Sequence, residues 1–292
     1  MLYIPWTEDI FDFNLKSHQQ FYERILKVTY KDKVYWLSPG SRYFPANMMD
    51  FAAKGVRVAV VNEDGASLEK IPLDEYTDNM SSRVATVTFD PDEGTATIDV
   101  TNAYNPYQSY YKRSSLLYFD TDAERKESIE EDLKDDFGDE TVLNSISFEN
   151  LDDIHKPVII TMSYTINYEF EELGDQIIMD FPGFNSPKTN PFLDQDRHSN
   201  IFFNYPYEKT QEVTYKIPEG FSIVSVPENA KVRSQVISFK VDYEKISDTE
   251  LKVKSTETLK RNMMSNSAVK MLKRKYNKIV EIRRNKVVLQ EL

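Results

Sequence analysis

The chain has 292 residues, 40% hydrophobic and 29% charged, with a formal net charge of −12 and no cysteine. That is enough apolar material for one large domain or two ordinary ones. It excludes disulfides, thiolate metal sites and a cysteine nucleophile within the chain, and the acidic balance argues against whole-molecule attraction to nucleic acid.

No run approaches the roughly 20 apolar residues needed to cross a bilayer, so no transmembrane segment is expected. Residues 1–20 carry Glu8, Asp9 and Asp12 where a secretory signal would have a basic end and an apolar block, so no signal peptide is expected there. Nothing in these residues is periodic, and they are assigned no regular structure. Residues 24–30 (RILKVTY) and 33–37 (KVYWL) are short β-rich runs on either side of Lys31-Asp32, which predicts a hairpin whose tight turn lacks the usual glycine. Pro39-Gly40 ends it. Residues 56–61 (VRVAVV) read as a buried strand, stopped by the turn-forming Asn62-Glu63-Asp64-Gly65.

The polar, proline-interrupted stretch 71–80 predicts a boundary, giving a first domain at 1–74 and a second at 75–292. Beyond it the pattern becomes clear alternation: 83–89 (RVATVTF), a turn at 90–94, then 95–101 (TATIDVT), a meander signal. Residues 104–118 are rich in tyrosine and fit neither period. A helix is predicted over 121–137, with Thr121 and Glu124 as a capping box, Ile129, Leu133 and Phe137 on one face and Gly138 at its end.

A second β series follows at 141–148, 157–170, 176–181, 211–217, 221–226, 235–241 and 250–255. The run 157–170 (PVIITMSYTINYEF) sets Ile160, Met162, Tyr164, Ile166 and Tyr168 on one face and is placed centrally because of its length. Many strands with proline and glycine turns predict a mainly β fold, an antiparallel sandwich with two helices. The second helix is placed at 266–283, where Val269, Leu272, Tyr276 and Ile279 keep one face, and a short strand closes the chain at 286–289. The long loop 182–198 is read as a crossover between sheets.

Few residues carry chemistry. His18, His155 and His198 are scattered without metal-binding spacing, and Asp194 and Asp196 near His198 lack the rest of a calcium loop. No catalytic, cofactor or metal residue is assigned, and no cofactor. The cluster Tyr104, Tyr107, Tyr110 and Tyr111 is a weak signal for an aromatic platform. From Lys260 to Lys286 ten basic residues face one acid, Glu281, a patch suited to anionic lipid, glycan or an acidic protein surface. Docking of its apolar stripe on the sandwich explains that helix more simply.

Residues 21–45, FYERILKVTYKDKVYWLSPGSRYFP, resemble the second half of the bacterial transglutaminase-like core, a papain-related α+β fold flanked by β-sandwich domains. Members read F-N-H-V-I-V-x-V and then Y-W-L-D, with histidine and aspartate 15 residues apart. Here FYERILKV and YWLS occupy the two patterns, with Phe21, Ile25, Val28, Tyr35, Trp36 and Leu37 in place. Glu23 stands at the histidine position and Ser38 at the aspartate position, the 15-residue spacing being kept. In the family the histidine activates an upstream cysteine and the aspartate orients it.

Two later segments extend the resemblance: DRHSNIFFNYPYEKTQEVTYKIPEGFSIVSVPE is similar to the family's C-terminal sandwich, and SAVKMLKRKYNKIVEIRRNKVVLQEL to its closing helix and strand. The family implies amide chemistry on peptides or proteins, in a periplasmic or cell-envelope setting. With the triad absent, the expectation is a partial, degenerate core at 1–74 and a sandwich at 75–292. Together they would act as a non-catalytic binding or scaffold module with a protein, peptide or glycan partner. Two alternatives are the C-terminal part of a longer or split thiol transglutaminase or peptidase, and recognition of anionic lipid or glycan by the basic helix.

Overall fold

Alternation in the sequence becomes sheet throughout the chain. The computed structural model describes residues 2–5, 17, 19, 21–40, 42–46, 48–63, 65–174, 176–184, 189–192 and 200–292. Two compact units are present, Met1–Glu75 with Asp152–Lys156, and Tyr76–Leu151 with Pro157–Leu292.

The first unit holds β1 (Leu2–Pro5), β2 (Phe21–Tyr30), β3 (Lys33–Leu37), β4 (Arg57–Asn62) and β5 (Gly65–Lys70). They form one antiparallel sheet in the order β3-β2-β1-β4-β5. The expected hairpin is β2–β3. Lys31 and Asp32 both adopt left-handed backbone, φ 48° and 60°, which matches the twist of the flanking strands; the aspartate tolerates that region more readily than the lysine. Ile25, Trp36, Met49, Ala53, Val58 and Ile71 are the core.

Two expectations need correction here. Leu2–Pro5, assigned no structure, is a strand flanked by β2 and β4; four residues are too few to show a period, and pairing on both sides supplies what the local sequence does not. The run 56–61 forms β4, yet only Val58 is fully buried and Val61 is 40% exposed, because a strand's successive side chains alternate between faces.

The second unit is built on an eight-stranded sheet. In chain order its elements are β6 (Met80–Asp90), β7 (Thr95–Ala103), α1 (Pro106–Leu116), α2 (Asp122–Phe137), β8 (Val142–Glu149), β9 (Ile159–Asn167), β10 (Glu171–Leu173), β11 (Gln176–Met179) and β12 (Ile201–Phe202). Then come β13 (Tyr207–Lys216), β14 (Phe221–Ser225), β15 (Ala230–Arg233), β16 (Ile237–Ser247), β17 (Glu250–Leu259), β18 (Met263–Met264), α3 (Val269–Arg283) and β19 (Val287–Glu291). The large sheet runs β15-β16-β17-β13-β6-β7-β9-β8, and a four-stranded sheet runs β10-β11-β19-β14. Both contribute to one apolar core, Val87, Ile98, Val213, Tyr215 and Val253 from the first, Met179, Ile223, Val287 and Leu289 from the second.

The fold is mainly β, as expected, with three departures. The sheet is not wholly antiparallel, since β13 lies parallel to β6. The run 157–170 is interior but sits next to the edge strand β8 rather than at the centre. And the described residues form three α-helices instead of two. The additional one, α1, occupies the ambiguous tyrosine-rich stretch. Asn105 caps it, accepting from Gln108 N at 2.9 Å while the Gln108 side chain reaches back to Asn105 N, and Pro106 begins it. Buried Ser109 ties it down by donating to Tyr104 O and accepting from Val158 N, both at 2.9 Å.

The other two helices follow the sequence. Thr121 and Glu124 form the capping box of α2, and Gly138 ends it at φ 105°. In α3, Val269, Leu272, Tyr276 and Ile279 are all buried, together with Val280.

Candidate functional site

Strand register explains how a site arises on the core-facing side of the large sheet. Val253, Val213, Ala85 and Val100 lie directly opposite one another on β17, β13, β6 and β7, all four buried. Two residues along each strand, in the same phase of the pleat, the row becomes Ser255, Gln211, Arg83 and Asn102. A further step gives Glu257, Lys209 and Ser81. The strands continue, and the side chains pointing inward change from apolar to polar.

A cavity of about 400 Å³ lies over these rows. Arg83, Asn102, Lys209, Gln211 and Glu257 form its floor; Gln108 from the first turn of α1, Tyr276 of α3, and Thr189 and Pro191 complete its walls. The 189–192 segment is fastened to α3. Buried Asn190 donates through Nδ2 to Lys273 O at 2.9 Å and Asn277 Oδ1 at 2.6 Å, and its Oδ1 accepts from Phe192 N at 2.8 Å. Gly183, earlier in the same connection, has φ 75°, and a Cβ there would come within 3.2 Å of Val87 and 3.3 Å of Ile98. Its carbonyl therefore lies close against the sheet, where it accepts from Arg83 Nε at 2.9 Å.

Charges in the cavity are unevenly matched. Arg83 Nη1 donates to Asn102 Oδ1 at 2.9 Å, so both these acceptors, Gly183 O and Asn102 Oδ1, are neutral. Glu257, the acid of the cavity, is already engaged: Tyr207 Oη donates to its Oε1 at 2.6 Å and Arg283 Nη2 pairs with its Oε2. The Arg283 guanidinium carbon lies 4.4 Å from the Phe239 ring centre, while its buried Nε and Nη1 have no hydrogen-bond partner among the described residues. The ring face offers that cation an alternative. Lys209 Nζ lies 4.5 Å from the Tyr207 ring centre.

Burial, then the Glu257 charge, push the hydroxyls of Tyr207 and Tyr276 well above the usual tyrosine range. Burial also raises Tyr104, with Arg83 opposing. These tyrosines keep their protons at neutral pH. A carboxylate tied to a guanidinium and a phenol is poorly placed to take a proton from a substrate, and the described lining residues include no histidine. Among the described residues, no group of three or more His, Asp or Glu side chains is gathered to hold a metal ion.

The residues singled out in the sequence fall elsewhere. Glu23 is placed through its backbone, in β2 opposite Ile4 of β1. Ser38 follows β3, whose last paired residue, Leu37, faces Leu26. His18, and His198 with Asp194, Asp196 and Arg197, lie outside the described residues. His155 is exposed. The tyrosine cluster does not make one platform: Tyr107 is buried and stacked on Tyr205 at 4.5 Å, Tyr110 meets Tyr111 edge-on at 5.0 Å, and Tyr104 alone lines the cavity.

Residues 175–289 match a family model described as a domain of unknown function with a solved structure, DUF3858. No curated protein matches the chain. Among solved structures, the crystal structure of "a putative protease" from Parabacteroides distasonis is similar over 99% of this chain at 9% identity, with a TM-score of 0.48. The chain covers 39% of that protein's length. At that level the similarity contributes nothing to the chemistry of the site.

Proposed function

We propose that this chain is a non-catalytic binding module, related to transglutaminase-like proteins, whose ligand enters the cavity at the polar end of the large sheet. The observation that carries this reading is the row Gln211, Arg83 and Asn102, core-phase positions on three neighbouring strands given over to hydrogen-bonding side chains beneath a cavity of about 400 Å³. Pockets of this size with a few convergent polar groups are the usual form of small-ligand sites. On this reading residues 1–74 are a partial, degenerate core, Glu23 and Ser38 marking its lost triad, and residues 75–292 are the sandwich that binds.

The test pairs turnover with binding. Fluorescently labelled peptides incubated with the purified chain should yield no cleaved or acyl-transferred product, while their polarisation rises on titration with the protein. Product formation that disappears on substitution of Arg83 or Glu257 would overturn the reading.

A second reading rests on α3. Lys270, Lys273, Arg274 and Lys278 surround Asn277 at a shallow cavity of about 390 Å³, a geometry suited to an anionic surface. Binding to anionic vesicles that weakens as salt rises, as exposed charge pairs do, would support it; salt-independent binding would contradict it.

A further inference from the structure

The ligand that suits the sheet-end cavity can be named by its chemistry. Resting on the binding reading above, we infer that it is a small molecule or chain end bearing one carboxylate beside amide or hydroxyl groups, with the carboxylate drawn to Arg83.

Among the described residues Arg83 pairs with no carboxylate: its Nε and Nη1 are held by the Gly183 carbonyl and the Asn102 amide oxygen. Those two neutral acceptors fix the guanidinium plane without cancelling its charge. Glu257, the one acid among the cavity's described lining residues, gives Arg83 no counter-charge, because it is held by Arg283 and Tyr207. Lys209, next to Arg83's row, likewise forms no ion pair among the described residues and rests on the Tyr207 ring. The first turn of α1, which supplies Gln108 to the wall, adds the positive end of a helix dipole. The cavity is thus cationic within a chain of net charge −12, and a half-buried cation without a counter-ion gains most from an anion that displaces little of its existing bonding.

A carboxylate fits better than a phosphate dianion. With Nε given to Gly183 O and one Nη1 hydrogen to Asn102 Oδ1, Arg83 offers its remaining Nη hydrogens end-on, and its single charge is matched by one carboxylate. The surrounding groups, Asn102, Gln108, Gln211, Ser81 and Thr210, are neutral donors and acceptors suited to amides and hydroxyls. A peptide C-terminus and a sugar acid share this chemistry, and the choice of probes separates them.

Calorimetric titration would use N-acetyl-alanyl-alanine and its C-terminal amide as one pair, glucuronate and its methyl ester as the other, and inorganic phosphate alone. In at least one pair the free carboxylate should bind about ten-fold more tightly than its neutral partner, a charged hydrogen bond's worth of discrimination. Whichever pair shows it identifies the source. Arg83→Gln should remove that preference in protein that stays folded, at the cost of a lower melting temperature as the Gly183 and Asn102 acceptors lose their donor. If that variant unfolds, the charged and neutral pairs on the unaltered chain still decide the matter. Equal binding of charged and neutral partners would overturn the carboxylate assignment and leave a binding site standing. Tighter binding of phosphate would overturn it too. No binding by any probe at tens of millimolar would overturn both this inference and the reading beneath it.

Discussion

Two successive levels of one sheet face, Val253–Val213–Ala85–Val100 and Ser255–Gln211–Arg83–Asn102, share strands, pleat and direction and differ only in what their side chains meet. The first is sealed in the core that the two sheets and helices share. Three members of the second, a guanidinium and two amides, open into a cavity, and the fourth, Ser255, stays buried beside them. The backbone supplies the same inward-facing positions in both. The proposed binding site therefore begins where the apolar cover ends, on strands whose other halves hold the fold together.

Substitutions on the two sides of that line should behave differently, and the largest effect belongs to the polar side. Glu257→Leu leaves buried Arg283 without its counter-charge and should cost about 3–5 kcal/mol, read as a lower midpoint in urea unfolding. Replacing both members, Glu257→Leu with Arg283→Met, should recover much of the loss. On the apolar side, Ile98→Ala empties a fully buried position on β7 and should cost about 3 kcal/mol, with ligand binding retained in whatever fraction stays folded.

Gly183→Ala tests the seam between the two levels. Its φ of 75° and the 3.2 Å approach to Val87 should cost about 2 kcal/mol and displace the carbonyl that holds Arg83. Stability and binding should fall together there, whereas Ile98→Ala affects stability alone.

The smallest effect at neutral pH is Tyr276→Phe. Burial and the Glu257 charge raise the folded tyrosine above its ordinary value of 10.0, so the unfolded chain loses that proton first. The resulting stability is whole below pH 10 and declines as pH rises beyond it, by about 1.4 kcal/mol per pH unit for each such tyrosine. Tyr207, Tyr215 and Tyr168 are raised in the same direction. Thermal melts between pH 9 and 11 should show a steep alkaline loss, one tyrosine shallower in Tyr276→Phe, with little change at pH 7.

Much of the fold is legible from local pattern. Alternation gives β6, β7 and β9; Thr121 and Glu124 mark the start of α2, and one apolar stripe gives α3. What escapes is tertiary. Leu2–Pro5 becomes a strand through its neighbours on both sides, and the parallel pairing of β13 with β6 joins residues more than a hundred positions apart. In α1, clustered tyrosines obscure the period, although Asn105, Pro106 and Gln108 carry a legible start signal.

The candidate site carries no motif, yet it leaves a trace. Arg83 stands in phase with Ala85, Val87 and Phe89, Asn102 with Ile98 and Val100, Gln211 with Val213 and Tyr215, and Glu257 with Leu251 and Val253. Each alone reads as a strand end. Only the register, which sequence does not give, shows that the four interruptions meet. The hairpin β2–β3 is the opposite case, two short β-rich runs and a turn at Lys31-Asp32 legible from local sequence alone.

The most direct test of the account maps where a carboxylate ligand acts. In a 15N-edited NMR titration with N-acetyl-alanyl-alanine and, separately, glucuronate, the shifted resonances should centre on Ser81–Arg83, Asn102–Tyr104 and Thr210–Gln211, with the probe recovered intact. Shifts confined to Lys270–Lys278, or probe consumed during the titration, would contradict it.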